Sequence, residues 1–177
     1  MGLKPTQYRC AAESLLRRFR KEGGLPRLHP LVEECNAVSL AFAVPVAVLD
    51  ADQVAWPLEV RYAAGGEDYL TFGGEVEHPA PGEVIFADQA GHAHARRWTN
   101  RQSGRSAVSP ATSTVLIVAE ALHDGAAKTI PELIEALAAG PGSPKPGQPP
   151  PRPPSSPPPA LASPRRVHDR GSLVRAD

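Results

Sequence analysis

Twelve of the chain's 21 prolines crowd between Pro141 and Pro164, in text such as PGSPKPGQPPPRPPSSPPP. Each proline fixes φ and removes a backbone donor, so the stretch can supply neither a helix interior nor a sheet ladder. It is expected to be extended and disordered, a linker or tail whose PxxP spacing also suits a proline-motif partner with an aromatic-lined groove. A fold must therefore come from residues 1–140. Charge divides at the same point. Residues 141–177 hold six basic and two acidic side chains, net +4, in a chain with 19 of each. The first 140 residues are left at −4. Any contact they make with a polyanion has to use a local patch, not an overall field.

Within those 140 residues the apolar spacing changes period near Pro45. AAESLLRRFRK places Ala12, Leu15, Leu16 and Phe19 on one helical face, and Gly23-Gly24 stops it. HPLVEECNAVSLAFA reads as a second helix. Pro30 suits its first turn, Glu33 and Glu34 suit its positive end, and Leu31, Cys35, Val38 and Phe42 recur at helical spacing. Asn36 and Ser39 lie three apart on a flanking face and could point together into a cavity. Then come PVAVLD, WPLEVRYA, YLTF, GEVIFAD, GHAHARRW and STVLIVAEAL, short β-branched and aromatic runs separated by turn residues. TIPELIEALAA predicts a last helix capped near Thr129, with Pro131 in its first turn. No helices separate the strands, which excludes a doubly wound fold. The class is α+β, with N-terminal helices packed on a mostly antiparallel sheet or sandwich.

Cys10 and Cys35 are too few for a disulfide scaffold, and a cytoplasmic protein is expected. No run approaches the roughly 18 apolar residues of a membrane helix, and no basic-then-apolar leader opens the chain. His92 and His94 would share one face of a strand. Without a third ligand at a signature spacing they read as a surface pair, and neither metal nor cofactor is expected. Gly65-Gly66-Glu67 and Gly73-Gly74-Glu75 lack phosphate-loop spacing and read as turns with positive φ. No GxSxG occurs, and neither cysteine has a histidine near it in sequence, so a covalent nucleophile is hard to find.

ARRWTNRQSGR, residues 95–105, sets Arg96, Arg97, Arg101 and Arg105 around a tryptophan and two side-chain amides. Such groups suit phosphate contact, base stacking and base-edge hydrogen bonds. They equally suit a solvated loop beside a core tryptophan.

Taken in order, NAVSLAFAVPVAVLDADQV, LEVRYAAGGEDYLTFGGE, PGEVIFADQAG, RRWTNRQS and SPATSTVLIVAEAL resemble the B3/B4 domain. That domain is the editing module of the phenylalanyl-tRNA synthetase β chain and also occurs as free-standing proteins. The similarity covers roughly residues 9–122, and the RRW…RQS stretch is nearer the free-standing branch. The resemblance implies a central cleft for the aminoacylated 3′ end of a tRNA, where the ester of a mischarged amino acid is hydrolysed. An ester needs a positioned water and oxyanion donors more than a nucleophile.

Carried across, the resemblance makes Asn36 a pocket residue bonding substrate or water. It sets Gln102 near the glutamate that reads a tyrosine hydroxyl, and Ala47 where the family has a histidine. Asn36 and Gln102 are thus the candidate catalytic groups. Glu67 and Asp88 would hold the substrate's ammonium or brace loops. Arg97 and Arg101 would meet phosphates, Trp98 would form a wall, and Ser39, Asn100 and Ser103 would supply hydrogen bonds. Free-standing relatives usually have a longer N-terminal segment and a fuller C-terminal helix, so truncation at both margins is expected. Three functions compete: a trans-editing deacylase, a tRNA or small-molecule binder that has lost the chemistry, and an interaction protein working through its tail.

Overall fold

A computed structural model describes residues 7–140; the Pro-rich tail lies outside the described residues. Helices α1 (Ala11–Glu22) and α2 (Pro30–Phe42) precede eight strands, and α3 (Ala126–Ala138) follows them. The strands are β1 (Val46–Asp50), β2 (Leu58–Tyr62), β3 (Tyr69–Leu70), β4 (Val76–Glu77), β5 (Val84–Asp88), β6 (Ala93–Arg96), β7 (Arg101–Gln102) and β8 (Val115–Ala119). The fold is α+β, and every strand pairing is antiparallel. Among the described residues no helix is long and apolar enough to cross a membrane.

Three sheets form. β2-β5-β6-β7 is four-stranded, β3-β4 is a small hairpin, and β1 pairs with the distant β8. Two cores result. Tyr69 of the hairpin packs on Ala63, Ile85, Ala87 and Ala93 beneath the four-stranded sheet. Val38, Val44 and Leu133 join α2 to α3, with Val46 and Ala119 of the two-stranded sheet packed against them.

Three local expectations change. α1 buries only Ala12, while Leu16 and Phe19 are exposed, so its apolar face is mostly outside the core. α3 starts a turn earlier than Thr129. Lys128 N–H and Thr129 N–H both donate to Gly125 O, and Pro131 lies inside the helix. The Ala126-Ala127 pair, good helix formers, extends the helix backwards past the proline. In the Gly65-Gly66 and Gly73-Gly74 turns only Gly65 and Gly74 have positive φ, one for each turn.

Leu133 has no exposed surface. Truncating such a leucine removes transfer free energy and leaves a cavity, together about 2–5 kcal/mol. Leu133→Ala should therefore lower the unfolding free energy of the full chain by that amount, read as a lower urea midpoint at an unchanged slope. A loss under about 1 kcal/mol would show that α3 is not part of the cooperative unit.

Candidate functional site

The two larger sheets face each other across a gap. One wall is the cross-strand row Phe86, Ala95 and Gln102, set by the Phe86↔Ala95 and Ala95↔Gln102 registers. The other is the Ala47↔Val118 pair, and between them lies a cleft of about 70 Å³. The β6–β7 turn closes its end with Trp98, Thr99 and Asn100. Arg97 (φ 46°) and Trp98 (φ 60°) both adopt the left-handed region there. Two consecutive non-glycine residues in that region are uncommon, and the turn is locally strained.

Hydrogen bonds pin this wall. Gln102 Nε2 donates to Val48 O at 2.8 Å, tying the two sheets together. Asn100 Nδ2 donates to Arg9 O at 2.6 Å, and Ala11 N–H donates to Thr99 O, which anchors the start of α1 on the turn. The Trp98 indole N–H donates to Glu120. Beyond Trp98, Thr99, Pro45 and Glu120, which line both spaces, the cleft continues into a more open chamber of about 320 Å³. Cys10 and His123 line that chamber.

The structure thus brings Trp98, Asn100, Arg101 and Gln102 together with Ala47. It does not bring the other candidates to the cleft. Asn36 sits half-buried on α2, outside the lining. Ser39 is fully buried and donates to Val44 O at 2.7 Å, and Ser103 is fully buried and donates to Leu70 O.

Glu67 accepts from Arg61 and from the Ala64 and Gly65 N–H groups. Burial would raise its pKa, but these donors bring the carboxyl down to about 2. Asp88 accepts from the Ala55, Ala90 and His92 N–H groups and from the His92 and His94 rings. Both carboxylates brace loops away from the cleft. His94, expected on the surface, is fully buried between Asp88 and Ser106, in a strand whose four residues are all buried and beside the Phe86/Ala87 register shift.

Three of the four arginines are already paired, while the Arg105 Nε is buried without a hydrogen-bond partner. Arg96 is buried on Glu83 and Glu77, Arg101 lies against Glu77 at 3.1 Å, and Arg97 lies 3.8 Å from Glu83 and over the Tyr8 ring. Their charge towards a polyanion is correspondingly reduced. Among the described residues no group of three metal-ligating side chains occurs. Cys35 is buried, and burial pushes its thiol up to about 11, which removes its nucleophilicity.

Sequence reading missed Glu120. Its signal was a carboxylate placed directly after the apolar run VLIVA, where a strand ends and a side chain can re-enter a cavity.

A concave, largely apolar gap between two sheets, with a few convergent polar groups, is the usual form of a small-ligand site in an α+β domain. The chain belongs to the B3/4 domain family, whose model matches residues 1–131. It is similar to the phenylalanine–tRNA ligase beta subunit of Mannheimia succiniciproducens, 32% identical over 68 residues. It is similar also to that subunit of Haemophilus influenzae, at 31% over 68 residues. Each match covers 38% of this chain and 9% of the relative's own length.

Proposed function

We propose that this B3/4 domain binds the aminoacylated 3′ end of a tRNA in the inter-sheet cleft and hydrolyses the ester of a mischarged amino acid. The carrying observation is convergence. Three stretches far apart in sequence, 45–47, 98–102 and 118–120, meet on one cleft in a member of this family. The cleft is small and largely apolar, as a side-chain pocket is, and the adjoining, more open chamber leaves room for the rest of the acceptor end. In the reaction, water attacks the ester carbonyl, the C–O bond breaks, and the ribose hydroxyl leaves with a proton. Gln102, fixed by Val48, and Asn100, fixed by Arg9, hold the polar edge where the carbonyl and water would lie. We take residues 1–140 as the working domain, with 141–177 an appended tail, and the reading puts its work in the cytoplasm.

The test is a panel of correctly and incorrectly charged tRNAs with the full-length chain, following loss of the aminoacyl ester. Selective hydrolysis of one mischarged species, reduced at least tenfold in Gln102→Ala, supports the reading. Binding without turnover replaces it by a second one, a binder that has lost the chemistry. Ala47 favours that alternative, because a methyl stands in the cleft wall where the resemblance expects a histidine.

Electrostatics adds a separate prediction. Two free phosphate contacts would each change the slope of log affinity against log salt by about 0.7–0.9. Arg97 and Arg101 are already shared with Glu83 and Glu77, so removing both should change the slope by less than one. Titrations with tRNA at several salt concentrations measure it. A change near two would mean that RNA displaces the carboxylates.

A further inference from the structure

Glu120 is the one carboxylate lining either the cleft or the chamber among the described residues. Other carboxylates of the domain differ in their company. Glu67 has Arg61, while Glu77 and Glu83 have Arg96, Arg97 and Arg101. No Lys, Arg or His among the described residues lies within ion-pair distance of Glu120. Its partner is the neutral indole N–H of Trp98, which engages Oε2. A half-buried carboxylate among Pro45, Val118 and Ala121, with no cation in ion-pair contact, offers an acceptor to a cationic guest. A metal ion is a poor candidate, since no cluster of three suitable ligands stands here. The guest is better an organic cation whose remaining atoms fill apolar space.

We propose that Glu120, oriented by Trp98, is the seat for a primary ammonium group, so that the ligand class is an α-amino acyl compound with an apolar side chain. The ammonium sits at the junction of the two spaces, the side chain enters the cleft between Phe86 and Val118, and the acyl group faces the chamber. The proposal rests on the aminoacyl reading above. It also reassigns the ammonium contact from Glu67 and Asp88, whose oxygens are already occupied by braces.

Two small amides separate this idea from the editing reaction, because neither contains tRNA or an ester. Leucinamide and 4-methylpentanamide, its counterpart without the amino group, are titrated into the full-length protein at pH 6.5 and followed by NMR shifts. The wild type should prefer the amine by about tenfold, the scale of one charge-assisted hydrogen bond. Glu120→Gln keeps an acceptor for the indole and should remove the preference, leaving 4-methylpentanamide binding unchanged. Trp98→Phe, which frees the carboxylate to turn, should reduce the preference in part. Equal affinity of the wild type for both amides, no binding of either, or a preference surviving in Glu120→Gln would overturn the assignment. A clear preference in a protein that hydrolyses no charged tRNA would sustain it and sink the editing reading alone.

Discussion

Replacing Asp88 with alanine is expected to lower the unfolding free energy by about 3–5 kcal/mol, the range for uncovering buried donors and breaking a buried charged network. The carboxylate is fully buried and collects three backbone N–H groups, those of Ala55, Ala90 and His92. It also takes N–H bonds from the His92 ring at 3.1 Å and the His94 ring at 3.1 Å. With Asp88 ionised, His94 must donate from Nε2 and accept the Ser106 hydroxyl at Nδ1. Alanine would orphan all of these donors at once. A thermal melt should show a fall of roughly 10–20 °C, and a fall of only a few degrees would mean that water replaces the carboxylate. Asp88→Asn should recover little, because it restores one acceptor oxygen where several donors converge.

The same residue sets the response to acid. Burial alone would raise the Asp88 pKa, but the His92 and Ala55 N–H groups and the two imidazoles hold it well below the carboxylate range. Glu67, at about 2, and Glu83, paired with Arg96, are lowered too. A lowered carboxylate contributes stability that is present above its unfolded pKa of about 4 and is lost as pH falls towards the folded value. His94 is lowered by burial, so the unfolded chain takes up its proton first once pH drops below about 6.5. Both effects have one sign. Urea midpoints should decline gently from about pH 6.5 and steeply below about pH 4, and the steep part should shrink in Asp88→Ala.

Arg96→Ala is the second large effect expected, also about 3–5 kcal/mol. The side chain is 6% exposed and makes a two-pronged contact with Glu83, Nε to Oε1 at 2.8 Å and Nη2 to Oε2 at 3.0 Å. Its Nη1 reaches Glu77, and its guanidinium lies 5.4 Å from the centre of the Tyr69 ring. Removing it leaves Glu83 buried, with only the more distant Arg97 guanidinium and the Arg97 N–H. The penalty thus comes chiefly from the abandoned carboxylate. Arg96→Met combined with Glu83→Gln should therefore be milder than Arg96→Met alone. A double-mutant cycle with coupling below about 0.5 kcal/mol would contradict this.

Much of the fold was legible because it is local. The period of AAESLLRRFRK and the turn residues around LEVRY fix α1 and β2 within a residue or two. The sequence also marks Trp98 as a wall and Asn100, Arg101 and Gln102 as polar contacts, and all four stand on the cleft lining. What could not be read is non-local. Nothing in VAVLD names VLIVA as its partner more than sixty residues later, yet that pairing creates the second wall and delivers Glu120. The inward position of His94, beside a register shift, is likewise not revealed by alternation alone. Sequence chemistry also suggested free arginines. Their partners Glu77 and Glu83 lie on other strands or loops, so the neutralisation became visible only in three dimensions.

The left-handed turn at Arg97 and Trp98 sets two demands against each other. The backbone there favours glycine, which reaches those angles without penalty. The cleft needs an indole. Gly substitutions at 97 and 98 are accordingly the changes that a library selected only for heat resistance would enrich. The winners at position 98 would have a relaxed hairpin and an open-ended cleft. Thermal screening of this protein would then reward loss of its binding site, unless ligand capture is part of every round.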